Sequence, residues 1–200
     1  LTAYLLKRRG IECIVLEASR TGSGQTKNTT AKITSQHGLM YHKLIEDKGY
    51  EQAKLYAEIN QYAIEQFGEI IRAESIACDY ERRNAYLFGK GGGDALRAEA
   101  DAAASLGIHA YHVGGTGLPF PTAGAVCFEN QAQFHPLRFL KGISMGLNIY
   151  ENSPVREVEG DTLVLDKCKV MASHIVFATH FPFVNMPGYY FARMYQSRSY

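Results

Sequence analysis

Glu17 is the first residue whose type and position suggest chemistry. It follows the apolar run of "GIECIVLEASR" (residues 10–20), in which Ile11, Cys13, Ile14, Val15 and Leu16 leave little room for a polar face. Such a run reads as a strand buried on both sides, as in a parallel sheet. Behind Glu17 lies "ASRTGSGQTKNTTAKITSQHG" (residues 18–38), a stretch too long for a simple connection. Its small hydroxyls and backbone N–H groups can approach a phosphate closely, and "TTAKIT" reads as the opening of a short helix whose N-terminus faces an anion. The alternatives are a solvated acid at a strand end and a flexible surface loop. His37 stands alone between polar residues and Gly38, a setting that suits a structural role more often than a catalytic one. Arg193 and Tyr195 suit recognition of a carboxylate, or equally an exposed strand face. No catalytic triad, metal-ligand cluster or paired-carboxylate motif stands out.

The elements that must position these groups follow from periodicity and stop signals. "LTAYLLKRRG" carries Leu1, Tyr4 and Leu5 at helical spacing, basic residues in its last turn and Gly10 as a stop. A helix, a buried strand and then an acid form the second half of a dinucleotide-binding unit, whose glycine-rich turn is expected ahead of Leu1. From Met40 to Glu74, Leu44, Ala53, Tyr56, Ile59, Ala63, Phe67 and Ile70 predict helix, broken in two at Gly49. "IACDYERRNAYLFG" (76–89) predicts one or two antiparallel strands, and "GGGDALRAEADAAASLG" (91–107) a turn and a helix capped by Asp94. No lysine follows the three glycines, so they read as a turn and not a phosphate loop. Residues 123–128 predict a strand, 131–134 an extended link, and His135-Pro136 a helix start. Strands are expected at 148–151, 155–158, 162–166, 169–171 and 174–178, the last ("HIVFAT") continuously apolar and a neighbour or near neighbour of the 11–16 strand in one sheet.

Composition bounds the classes. The 200 residues are 46% hydrophobic and 20% charged with net charge +1, enough for one or two domains with a sizeable core. The near-zero balance gives no electrostatic case for nucleic acid or an acidic membrane surface, and no apolar stretch approaches the ~18 residues of a membrane span. Cys13, Cys78, Cys127 and Cys168 are dispersed without a C-x-x-C pair. They read as small hydrophobes in a reducing, cytoplasmic compartment, with a zinc site unsupported.

In order along the chain, several segments resemble the FAD-dependent oxidoreductases of the D-amino-acid oxidase family, which includes glycine and sarcosine oxidases. "AYLLKRRGIECIVLEA" is similar to the helix, strand and acid that follow the family's glycine fingerprint, and "GSGQTKNTTAKIT" to its polar loop beside FAD. "FHPLRFLKGI" resembles the proline-led helix that re-enters the FAD domain. "IYENSPVREVEG" resembles the strand pair that meets the adenine, and "IVFATH" the strand end near the cofactor. Lys32 and His180 depart from it, standing where the family more often has glycine.

The resemblance implies an α/β fold: an incomplete Rossmann-like FAD-binding domain (1–38 and 131–188) with an inserted α+β substrate domain (39–130 and 189–200). It implies hydride transfer to FAD from an amine, amino acid or hydroxy acid, chemistry the flavin itself supplies. Glu17 and Ala18 would meet the ribose. Thr26, Thr29, Thr30, Ala31 and Lys32 would lie along the cofactor, Val155 would meet adenine through its backbone, and Ala178 and Thr179 would sit at a sheet end beside it. Thr179 as a simple strand cap is the alternative. A NAD(P)-dependent dehydrogenase with Arg20 on a 2′-phosphate, and a truncated domain without cofactor, are the competing classes. With the glycine turn and the family's later portion both outside these residues, the chain alone is expected to be inactive, to hold no FAD and to self-associate through the exposed edge of its first strand.

Overall fold

A computed structural model gives the architecture and describes residues 1–179 and 183. Arg193, Tyr195, His180 and the 189–200 portion of the expected substrate domain lie outside the described residues. The chain divides into two compact units, residues 1–24 with 146–200 and residues 25–145.

In the first unit, helix α1 (Thr2–Arg8) buries Tyr4, carries Lys7 and Arg8 in its last turn, and ends at Gly10 with φ +73°. The lysine Nζ of that turn donates to the Gly146 carbonyl. Strand β1 (Ile14–Leu16) pairs in parallel with β6 (Asn148–Tyr150), Ile14 opposite Asn148 and Leu16 opposite Tyr150. β7 (Val155–Glu159), β8 (Thr162–Leu165) and β9 (Lys169–Met171) form an antiparallel meander. Two expectations fail here. The 11–16 run is not buried on both sides: β1 is three residues long, pairs on one side among the described strands, and leaves Ile11 and Ile14 50% and 43% exposed. Residues 174–178 form no strand and are largely exposed, so β1 has β6 as its neighbour instead. An apolar run becomes a strand only where another strand takes up its backbone groups, and no described strand lies alongside this one.

The second unit is built on the long strand β5 (Ala125–Gln133). β3 (Glu81–Phe88) runs antiparallel along one side of it, β4 (Ala110–Val113) and β2 (Lys32–Ile33) along the other. The predicted strand at 123–128 and link at 131–134 are thus one continuous element. One face of the sheet packs on helices α2 (Tyr41–Lys48), α3 (Tyr50–Ala73) and α4 (Gly93–Ser105). Val126 and Phe128 meet Tyr41, Ala53, Ala57, Leu96, Ala100 and Ala103 in that core. Gly49, at φ +84°, separates α2 from α3 as its position predicts.

Helix α3 buries Ala53 and Ile70 and half-buries Tyr56 and Phe67 as expected, but turns Ile59 and Ala63 outward. Ala53, Ala57, Ile64, Gly68 and Ile71 point inward, while Ile59 is 57% exposed and Ala63 is exposed as well. Ala53, Ala57 and Gly68 let the helix approach its neighbours closely, and Ile64, Ile70 and Ile71 fill the rest of the inner stripe. Helix α4 is preceded by Gly92 in the left-handed region; Asp94 sits inside the first turn and does not cap it. Helix α5 (Pro136–Ser144) starts as predicted, with His135 Nδ1 accepting from the Arg138 N–H.

The unit boundaries differ from the expected domain limits, since residues 25–38 and 131–145 join the second unit. The reason is pairing and packing: β2 is hydrogen-bonded to β5, and Phe139 of α5 stacks against Phe67 and Phe134 at 5.2 and 5.5 Å. Cys78 and Cys127 are buried, Cys13 is half-buried and Cys168 exposed, all as free thiols. No described helix is long and apolar enough to cross a membrane.

Candidate functional site

Within the first unit the candidate residues gather at the carboxyl end of β1. Glu17 extends the parallel pairing by donating its N–H to the Tyr150 carbonyl at 3.0 Å, and its own carbonyl accepts from Ser153 N–H at 2.9 Å. Its half-buried carboxylate is oriented by one bond: Oε1 accepts the Ser19 N–H at 2.9 Å. Oε2 has no partner among the described residues and keeps its acceptor capacity. The loop after it folds back on β6: Asn152 N–H reaches the Ser19 carbonyl at 2.7 Å, and Thr21 N–H reaches Glu151 Oε1 at 2.7 Å. That Thr21 N–H holds the Glu151 carboxyl below its usual range. Ala18 is exposed beside Glu17, and Val155 begins β7 two residues beyond the Ser153 contact, its register partner being Leu165. Ala178 and Thr179 are exposed outside any strand, so the sheet-end position expected of them is not formed.

The remaining candidates lie within the second unit. Thr26 falls in a short 3-10 turn, Gln25–Asn28, and "TTAKIT" opens no α-helix. Ala31 adopts φ +59°, which interrupts helical geometry, and Lys32 then enters β2. Thr29 Oγ1 accepts the Ala31 N–H at 3.4 Å, and the Ala31 carbonyl accepts from Phe134 N–H at 3.2 Å. A non-glycine residue in the left-handed region is an uncommon conformation that surrounding contacts must hold, and such residues concentrate at binding sites. Thr29, Thr30 and Lys32 are exposed, so their polar groups stay accessible. His37 is exposed too, and no side-chain partner holds its ring among the described residues.

Two polar groups that periodicity did not single out support this segment from beneath. Gln131, 1% exposed on β5, accepts the Ser35 N–H at 2.8 Å through Oε1. Glu99, also 1% exposed, accepts the N–H groups of Met40 and Tyr41 through Oε1 and of His42 through Oε2, at 2.9, 2.9 and 3.0 Å. It therefore caps the N-terminus of α2, where a negative charge is favoured by the helix dipole. The sequence held a signal for it: Glu99 falls among Leu96, Ala100 and Ala103 on the inward face of an amphipathic helix, where an acid needs a partner.

A family model described as FAD dependent oxidoreductase (DAO) matches residues 1–199, and the chain belongs to that family. Over its whole length it is 33% identical to the putative Rieske 2Fe-2S iron-sulfur protein YhfW of Bacillus subtilis (strain 168), of which it spans 41%. Among solved structures it is similar to the glycine oxidase of Geobacillus kaustophilus, with TM-score 0.62 and 15% identity over 85% of this chain and 49% of that one. The glycine oxidase of Bacillus cereus ATCC 14579 gives TM-score 0.58 and 17% identity over 84% and 48%. The L-proline dehydrogenase of P. horikoshii gives 0.61 and 14% over 84% and 46%. The chain thus spans about half the length of the proteins it matches. Its fold matches about half of each of these FAD-dependent oxidoreductase-like structures, and family membership sets aside the NAD(P) reading with Arg20.

Proposed function

We propose that this chain contributes the adenosine side of an FAD site in an oxidoreductase acting on an amine, amino acid or hydroxy acid. The observation that carries the reading is Glu17: a carboxylate at the carboxyl end of a parallel strand, pinned through one oxygen and open through the other, where a ribose hydroxyl donates in dinucleotide-binding folds. Ala18 and the Val155 backbone flank that position; taken by themselves within the second unit, Thr26, Thr29, Thr30, Ala31 and Lys32 form a polar segment with hydroxyls and one cation suited to a cofactor's phosphates. Bound FAD would supply the redox chemistry by accepting a hydride from a substrate C–H bond. The chain's own residues bind and orient: Glu17 fixes the ribose, and the left-handed Ala31 shapes the turn that leaves the side chains of Thr29, Thr30 and Lys32 exposed. Ala178 and Thr179, exposed and outside any strand, take no part in this reading.

The iron–sulfur name of the B. subtilis relative favours a further reading, in which the electron acceptor is a 2Fe-2S centre and not dioxygen. Among the described residues no three His, Cys, Asp or Glu side chains converge to hold a metal, so its ligands would come from outside them. Turnover and stable FAD binding then belong to the full-length protein, and the 200 residues alone are expected to be colourless and to self-associate. Four free thiols fit a reducing compartment such as the cytoplasm.

The test is flavin binding by the full-length protein. Wild type should show visible flavin absorbance, and Glu17→Ala should lose about 1.5–3 kcal/mol of binding, roughly ten- to hundredfold in dissociation constant. Unchanged affinity would remove Glu17 from the site, and a wild-type protein that takes up no flavin would defeat the reading.

A further inference from the structure

Strand β2 poses a problem of register. It is two residues long, with Lys32 opposite Gln133 and Ile33 opposite Ala132, and so specifies its own pairing weakly. A slip of one residue would exchange the buried Ile33, 6% exposed, with the exposed Lys32. The same register would bring Thr34 opposite Gln131 and Ser35 opposite Asn130. The ladder cannot continue there through the backbone. Asn130 adopts φ +57°, and Glu129 and Asn130 together stand opposite Asn84 of β3 in a bulge. The Asn130 carbonyl is occupied by Arg82 Nη1 at 2.6 Å, and that guanidinium is held in turn by Glu65.

The Gln131 side chain takes over at this point. Its Oε1 accepts the Ser35 N–H at 2.8 Å and the Ser35 hydroxyl at 3.3 Å, while its Nε2 donates to the Glu129 carbonyl at 2.8 Å. The other groups of Ser35 are held as well, its Oγ by Gln61 Nε2 at 2.8 Å and its carbonyl by the Tyr41 hydroxyl at 2.7 Å. Ser35, Gln131 and Tyr41 are all at most 1% exposed. A buried polar network whose members are all satisfied specifies one arrangement, because any shift strands a desolvated group.

We infer that Gln131 is a positioning residue: its side-chain amide replaces the backbone ladder where β5 bulges, and so sets the register of the 29–35 segment. The inference rests on the proposed role of that segment beside FAD.

Full-length variants test it by two readouts, FAD dissociation constant and amide hydrogen exchange of residues 33–36. Gln131→Leu should weaken FAD by at least about tenfold and speed exchange at Ile33 and Ser35 by a similar factor. Gln61→Leu removes a bond to the Ser35 hydroxyl but none to its backbone, and should leave both readouts near wild type. Gln131→Glu, read at mildly acidic pH where burial keeps its carboxyl neutral, keeps both the acceptor for Ser35 N–H and a donor for the Glu129 carbonyl, and should hold the register even if Gln131→Leu fails to fold. Equal losses in Gln131→Leu and Gln61→Leu, unchanged readouts in Gln131→Leu, or register loss in Gln131→Glu would each overturn the assignment. A wild-type protein without flavin would instead defeat the proposed function, while exchange would still decide the role of Gln131.

Discussion

Removing the Glu99 carboxylate should unlock the start of α2, and burial decides how much each substitution costs. The residue is enclosed, with Oε1 serving Met40 and Tyr41 N–H and Oε2 serving His42 N–H. In Glu99→Gln the amide oxygen can still serve the first two, but the NH2 group then faces a third donor at His42. The bond from His42 N–H is only part-buried, so water can approach that donor, and the cost should be about 1–2 kcal/mol. In Glu99→Ala the Tyr41 amide, on a residue with no exposed surface, and the Met40 amide both lose their partner. Each stranded buried donor costs about 1–3 kcal/mol, and the helix loses its favourable charge, so about 3–5 kcal/mol is expected. That exceeds any relief from no longer desolvating the carboxylate. Urea denaturation of the full-length protein followed by circular dichroism gives both values as shifts in midpoint. The reasoning fails if Ala costs less than about 1 kcal/mol, or if Gln costs as much as Ala.

Three further outcomes follow from local geometry. The Tyr80 hydroxyl is buried with no partner among the described residues and lies 2.9 Å from where a Gly68 Cβ would stand, so Gly68→Ala should destabilise by about 1–3 kcal/mol and Tyr80→Phe should recover much of it, read as coupling in a double-mutant cycle. Gly142→Ala should cost about 1–3 kcal/mol despite alanine's higher helix propensity, since its Cβ would meet the Ile76 side chain at 2.7–2.8 Å; Ile76→Ala should relieve that clash, and a fully stable single variant would refute it. The Glu151 carboxyl is held low by Thr21 N–H, so its stabilising contribution is fully present above the ordinary value of 4.5 and is lost as pH falls through the lower folded value. Amide exchange at Thr21 should therefore rise over that acidic window, and Glu151→Gln should abolish the pH dependence; a profile that Glu151→Gln leaves unchanged would assign it to another group.

Elements whose signals are local were legible in the sequence. Gly10 and Gly49 each adopt positive φ where a helix ends, and His135-Pro136 starts α5 with a side-chain cap and a residue lacking the N–H that a first turn cannot use. Glu17 was legible as well, because an acid directly after a short β-branched run sits at the strand's end whatever surrounds it. Non-local pairing decided the rest. The run at 174–178 has the composition of a buried strand but no partner among the described residues, whereas the two residues of β2 become a strand because β5 lies beside them. Ile59 and Ala63 carry the right period on the wrong face of α3, since only the packed sheet determines which stripe turns inward. Glu99 and Gln131 were visible only as polar letters in apolar surroundings. Their partners, the amides of residues 40–42 and Ser35, lie 57–59 and 96 residues away. Sequence determined where each polar group stands in its own element; the tertiary structure alone decided which distant backbone it would satisfy, because burial makes an unpaired group too costly to leave.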